Sequence, residues 1–197
     1  MKKWQIAIPA GIVLAGAGIF AATRLAKKDT AGETGKTAAK TEAKQKGNLA
    51  TGTYSFVAGY KDATTQEISL AYDKDKCTFS VVEDEFLSYS SDSHVALIYG
   101  EDFNMQIEYA DYYSGDNFEK LGESLKEKFK GFEQLNVASY PAYRYTDGDS
   151  VCYCIPAGAS YILITVMPSK DSKETAETLP KNQELNSMLA SIAISEK

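Results

Sequence analysis

Ser160-Tyr161-Ile162-Leu163-Ile164-Thr165-Val166-Met167 is the stretch that most limits how this chain can fold. In an extended strand successive side chains point to opposite faces. Ile162, Ile164 and Val166 then line one face, and Tyr161, Leu163 and Met167 line the other. A strand that is apolar on both faces needs cover above and below, as in the middle of a sheet held between two layers. The expectation is that helices supply that cover.

The flanking pattern supplies the rest of such a sheet. Tyr54 to Tyr60 reads as a marginal first strand. Ile68, Leu70 and Tyr72 alternate, and Asp73-Lys74-Asp75-Lys76 turns the chain into a strand over 77–82. Residues 94–99 and the alternating Phe103, Met105, Ile107 and Tyr109 make a hairpin. A helix follows, with Asp116 and Glu119 at capping-box spacing. Phe118, Leu121, Leu125 and Phe129 form its apolar stripe, and Gly131 stops it. A short strand near Leu135 and one over 142–146 come next. Asp147-Gly148 is a hairpin turn into 151–155, and Pro156-Ala157-Gly158 breaks the chain before the 160–167 strand. Residues 169–178 are polar with room for a helix. Leu185, Met188, Leu189 and Ile192 close the chain as an amphipathic helix begun near Pro180 or Asn182. Strands, helix, strands, helix, with hairpins throughout, predict an α+β class: a largely antiparallel sheet sandwiched by helices.

The start of the chain has a different character. Lys2 and Lys3 precede an uncharged run from Trp4 to Thr23, and Arg24, Lys27 and Lys28 follow it. About 20 apolar residues at roughly 1.5 Å each cross a bilayer core of roughly 30 Å. The sequence therefore predicts an N-terminal transmembrane helix over residues 4–23 acting as a signal-anchor, with a cleaved signal peptide ending near Ala15-Gly16-Ala17 as the alternative. Residues 29–48 contain no Leu, Ile, Val or aromatic and read as a disordered basic spacer. The expected organisation is an anchor over 1–28, a linker over 29–48 and an acidic domain over 49–197. The protein is expected at the cell membrane, single-pass, with its C-terminal domain outside the cytoplasm.

Charge divides along the same line. Residues 1–48 hold nine of the 21 Lys and Arg and three of the 27 Asp and Glu, leaving 12 basic against 24 acidic residues beyond. So acidic a domain repels phosphate backbones, which argues against a nucleic-acid partner. Cys152 and Cys154 share one face of a strand near the geometric limit for bridging, and Cys77 pairs with either only if the strands are neighbours. The alternative is three buried thiols behaving as small apolar groups. No Cys/His spacing suggests zinc, and no metal or cofactor is expected. A Ser-His-Asp arrangement would have to use His94, the only histidine, with Ser90, Ser91, Asp92 or Ser93, and no nucleophile elbow accompanies them. Asp73, Asp75, Glu83, Asp84, Glu85, Glu101 and Asp102 are oxygen donors without a calcium-loop pattern. No catalytic residue is assigned.

Tyrosine offers a better candidate for contact. All 13 lie beyond Thr53, and Tyr109, Tyr112, Tyr113, Tyr143 and Tyr145 (with Tyr140 and Tyr153 beside them) exceed what one modest core needs. Exposed tyrosine supplies contact area at low entropic cost. An acidic, tyrosine-bearing sheet face suits a basic peptide or protein partner, or an envelope glycan.

The order of elements from Ile68 to Ile194 resembles the PsbP-like superfamily, including its bacterial membrane-attached members. The likeness is carried by Tyr72 with Phe79-Ser80-Val81, by Tyr140-Pro141-Ala142-Tyr143-Arg144 leading into Tyr161-Ile162-Leu163-Ile164, and by Leu185-Asn186-Ser187-Met188-Leu189-Ala190-Ser191-Ile192. The resemblance implies an α/β/α sandwich used as a non-catalytic binding or assembly module. The expected function is thus a membrane-anchored binding or accessory domain for an envelope protein or ligand. A divalent-cation or small-ligand sensor is the second reading and a hydrolase the third.

Overall fold

The computed structural model describes residues 48–58, 64–83, 94–113 and 116–196, which fall within one unit, Lys44–Lys197. The chain runs through β1 (Leu49–Ala58), β2 (Thr64–Asp73), β3 (Thr78–Glu83), β4 (His94–Tyr99) and β5 (Phe103–Asp111) to helix α1 (Phe118–Lys128). Then come β6 (Lys130–Val137), β7 (Tyr140–Asp147), β8 (Ser150–Ala157), β9 (Ser160–Pro168), a 3-10 turn at Leu179–Lys181, helix α2 (Gln183–Ala190) and β10 (Ala193–Glu196). Among the described residues every pairing is antiparallel. One sheet has three strands in the order β1-β2-β10, and the other has seven in the order β3-β4-β5-β9-β8-β7-β6.

β9, the strand that needs cover on both faces, is the middle one of the seven. Its Ile162, Ile164 and Val166 are fully buried in the main core. That face of the large sheet is covered by the three-stranded sheet, through Tyr54, Phe56, Ile68 and Leu70, and by Leu185, Met188 and Leu189 of α2. On the opposite face Tyr161 and Leu163 pack in a second cluster with Leu125 of α1. Helix α1 lies over β6 and β7.

The α+β expectation is therefore corrected. Strands hold 58% of the described residues and helix 17%, and the principal layer on the large sheet is another sheet. An α/β/α sandwich would need helical layers on both faces, and here one face is covered mainly by the three-stranded sheet. The reason is β1. Its inward residues Ala50, Gly52, Tyr54 and Phe56 alternate with Thr51, Thr53 and Ser55, so a core strand is half masked by hydroxyls in the sequence. The transmembrane and signal-anchor expectation also finds no support: no helix among the described residues is long and apolar enough to cross a membrane. Residues 4–23, on which that expectation fell, and the 29–48 spacer up to Gly47 lie outside the described residues.

Several local expectations shift. The α1 cap is Asn117, whose side-chain oxygen accepts from the Lys120 N–H at 3.0 Å, while Asp116 instead pairs with the Lys120 ammonium at 3.3 Å. The helix ends at Phe129, in extended backbone, before Gly131. Gly131, with φ of 64°, serves a β-bulge in β6 between Lys130 and Glu133. The 169–178 stretch forms turns, not a helix. Ala193–Glu196 leaves α2 to pair with β2, and Tyr140 fastens it: the phenol accepts from the Ile194 N–H at 2.9 Å and donates to the Ile194 carbonyl at 3.3 Å.

Candidate functional site

Period-two alternation sends the candidate tyrosines to different places. Tyr109 faces the main core and stacks on Phe56 at 5.1 Å between ring centroids. Tyr153 is a core residue, 1% exposed, and Tyr140 is committed to Ile194. Tyr145 and Tyr143 point to the α1 side but are only 7% and 8% exposed. Tyr145 packs under Phe129 at the far end of the helix. The expectation of one exposed tyrosine face is corrected on geometry: Tyr109 and Tyr153 belong to one side of the sheet, Tyr143 and Tyr145 to the other.

A groove does form where α1 begins. It has a volume of about 370 Å³ and is lined by Phe118, Gln134, Leu135, Asn136, Pro141, Ala142 and Tyr143. Cross-strand register explains the assembly, because Tyr143 stands opposite Gln134 and Pro141 opposite Asn136. Tyr143 is fixed from two sides, by Phe118 at 4.2 Å and Phe132 at 5.4 Å. Gln134, Asn136 and Pro141 are exposed. Beside this groove Tyr112 leans on Tyr161 at 5.5 Å, and Tyr113 next to it is 59% exposed. The structure thus brings Tyr112 and Tyr143 together with Phe118 and Tyr161, leaves Tyr113 exposed just beyond β5, and sets Tyr109 and Tyr145 apart. Phe118 was read from the sequence as helix stripe alone. Its place as groove wall follows from standing first in the helix, where it stacks on Tyr143 and stays partly exposed.

Carboxylates ring the aromatics. Burial raises the Tyr143 phenol first, and Glu119, then Glu123, act in the same direction. Tyr112 is pushed up to about 12, mainly by burial, with Cys154 and Tyr143 adding to it. Asp111 accepts a 2.6 Å hydrogen bond from the Ser160 hydroxyl at the end of β5. At neutral pH these phenols stay protonated and the groove presents neutral rings under a negative rim.

The thiols divide between the two faces. Cys152 and Cys154 lie in the α1-side cluster, whereas Cys77 lies in the main core with its sulfur 3.3 Å from Glu184. A Cys77 bridge to either is thereby excluded in this fold, and all three are buried free thiols. Burial pushes Cys152 up to about 11, against the lowering effect of hydrogen bonds from Thr165 and Tyr145. Burial and the Glu184 hydrogen bond push Cys77 up to about 12. Such thiols are poor nucleophiles and poor ligands at neutral pH.

Among the described residues no group of three or more His, Cys, Asp and Glu is placed to hold a metal ion. Asp102 and Glu174 instead accept from the Asn182 amide at 3.3 and 2.9 Å, and Asp73 receives the Asp75 N–H at 3.1 Å. His94 begins β4, and Asp84, Glu85, Ser90, Ser91, Asp92 and Ser93 lie outside the described residues. Comparison with known proteins finds no matching family model, no matching curated protein and no matching solved structure.

Proposed function

We propose that this chain is a non-catalytic binding or accessory module of the cell envelope, whose aromatic groove at the start of α1 takes a basic segment of a protein partner. The observation that carries the reading is the combination of neutral rings, Phe118 and Tyr143 with Tyr112 beside them, and the Glu119 and Glu123 carboxylates that act on Tyr143. Arginine fits both parts: its guanidinium stacks on an aromatic face and pairs with a carboxylate. The excess of 12 acidic residues beyond position 48 adds a long-range pull on such a partner. The envelope assignment rests on the basic and apolar opening of the sequence, read as an export signal.

The test is fluorescence anisotropy of the full chain with a short labelled peptide of alternating Arg and Gly, against a Glu-Gly peptide of equal length. Cation–π contacts are worth about 0.5–2 kcal/mol. Phe118→Ala and Tyr112→Ala should each weaken Arg-peptide binding by about 2- to 30-fold. Glu119→Gln should flatten its salt dependence. Equal binding of the Glu-Gly peptide, or indifference to all three substitutions, refutes the assignment.

A further inference from the structure

Strand edges are where a β-protein is open to further pairing, and natural sheets guard them with charge, proline, bulges or short length. Among the described residues two of the four outer strands are guarded: β6 has its bulge and the charged Lys130 and Glu133, and β10 is four residues long. β3 exposes Val81 and Val82 but offers only six residues. β1 is different. Its ten residues, Leu49-Ala50-Thr51-Gly52-Thr53-Tyr54-Ser55-Phe56-Val57-Ala58, contain no charge and no proline. They pair with β2 in unbroken register from Leu49 opposite Asp73 to Ala58 opposite Thr64. Among the described residues the other edge of β1 has no neighbouring strand.

Which backbone groups face that edge can be worked out. The Asn48 carbonyl accepts from the Lys74 N–H at 3.2 Å, directly across the ladder. In an antiparallel pair, hydrogen-bonded and non-bonded positions alternate. Residues 50, 52, 54 and 56 therefore bond to β2, and Leu49, Thr51, Thr53, Ser55 and Val57 turn their N–H and C=O outward along the edge. The same five residues carry the exposed side chains of the strand.

Those five positions read apolar, hydroxyl, hydroxyl, hydroxyl, apolar: the chemistry is the same from either end. We propose that β1 pairs antiparallel with β1 of a second copy of this chain, about a two-fold axis through Thr53. The two three-stranded sheets then become one of six strands. In that register Thr53 faces Thr53, Thr51 faces Ser55, and Leu49, 64% exposed, faces Val57, 43% exposed. On the inward side Gly52 faces Tyr54 and Ala50 faces Phe56, small against large. No like charges oppose one another, and the outward N–H and C=O groups alternate in the phase a ladder requires. A two-fold contact must be self-complementary in this way, with residue i meeting j and j meeting i. Register follows from the end-to-end symmetry: moving the pairing by two residues sets one Leu49 or Val57 against a hydroxyl and leaves the other unopposed.

Two sets of variants of the full chain test this. Sedimentation equilibrium up to about 1 mM should show a monomer–dimer equilibrium. Thr53→Lys, which removes the Thr pair and sets two ammonium groups across the axis, should weaken it by about 2- to 30-fold. Thr65→Lys, on the outward face of β2, should not. Thr53→Cys should form an intermolecular disulfide under mild oxidation, because hydrogen-bonded pairs hold their Cα atoms about 5.5 Å apart, inside bridging range. Thr51→Cys should not bridge, because the two copies of that residue stand four residues out of register, about 13 Å apart. A strictly monomeric chain, a dimer indifferent to Thr53→Lys, or bridging at 51 as fast as at 53 would each overturn the proposal.

Discussion

Gly122 is buried in α1, and a methyl group there would meet the Tyr143 ring, 2.4 Å from Cζ and 2.7 Å from Cε2 and the phenol oxygen. Two effects of Gly122→Ala oppose each other. Alanine is about 1 kcal/mol better than glycine inside a helix. Overpacking costs about 1–3 kcal/mol when the neighbour cannot move aside. Tyr143 cannot: Phe118 stacks on it at 4.2 Å, and Phe132 holds it at 5.4 Å. The helix must lift instead and loosen Leu125 and Phe118. Packing should win, with a net loss of up to about 2 kcal/mol, or a Tm lower by up to roughly 8 °C for a domain of this size. Tyr143→Leu removes the far half of the ring. In that background Gly122→Ala should change sign and stabilise by up to about 1 kcal/mol. Thermal unfolding followed by circular dichroism on the four proteins of this cycle measures both numbers. If Gly122→Ala raises Tm with Tyr143 intact, or if the two changes are additive, the packing argument at the groove floor is wrong.

Tyr140→Phe removes both hydrogen bonds to Ile194 and should cost about 1–3 kcal/mol, with faster amide exchange at Ile194 and unchanged exchange in β8. Asn182→Ala deletes the cap of α2, whose oxygen accepts from the Leu185 N–H at 3.0 Å, and unties Asp102 from Glu174. A loss of about 1–2 kcal/mol by urea unfolding is expected. The thiols set an alkaline limit. Their folded pKa values lie above the ordinary value of 9.0, so the unfolded chain binds fewer protons than the native one once pH exceeds that value. Stability is fully present below pH 9.0 and should fall as pH rises through about 11 for Cys152 and about 12 for Cys77. Replacing Cys152 and Cys77 by Ala should flatten that slope in urea titrations across pH 8–10.

The strands with one wholly apolar face were readable in the sequence. Phe103, Met105 and Ile107 alternate cleanly and occupy β5, whereas the turn expected at Asp147-Gly148 falls one residue later, on Gly148-Asp149, with Asp147 paired to Ser150 and Gly148 at φ of 58°. β1 and β6 were readable only in part. Both are edge strands, with hydroxyls or charges on the open side, and alternation there carries little hydrophobic contrast. β10 was hidden because Ile192 continues the α2 stripe, and the signal for the strand is the Tyr140 phenol, 54 residues away. The candidate site failed by parity. Tyr143 and Tyr145 share a face with each other, Tyr109 points to the other, and only register against Gln134 and Cys152 shows which face α1 covers. Phe118 and Tyr143 meet because a helix start crosses a hairpin, a relation that no spacing in the chain expresses.

The Tyr140 fastening also fixes an order of events in time. β2 is bordered on one side by β1, its neighbour in the chain, and on the other by β10, with the Ala71 N–H donating to Ser191 across 120 residues. On the ribosome, β1 and β2 emerge as a hairpin whose Tyr54, Phe56, Ile68 and Leu70 have nothing to rest on until β5 and β9 appear. Its second edge stays open until residues 193–196 arrive. Non-local closure of this kind slows folding and leaves sticky surface exposed on the way. The small sheet is thus a latch that cannot be complete until residues 193–196 are in place, which ties the first strands of the domain to the last.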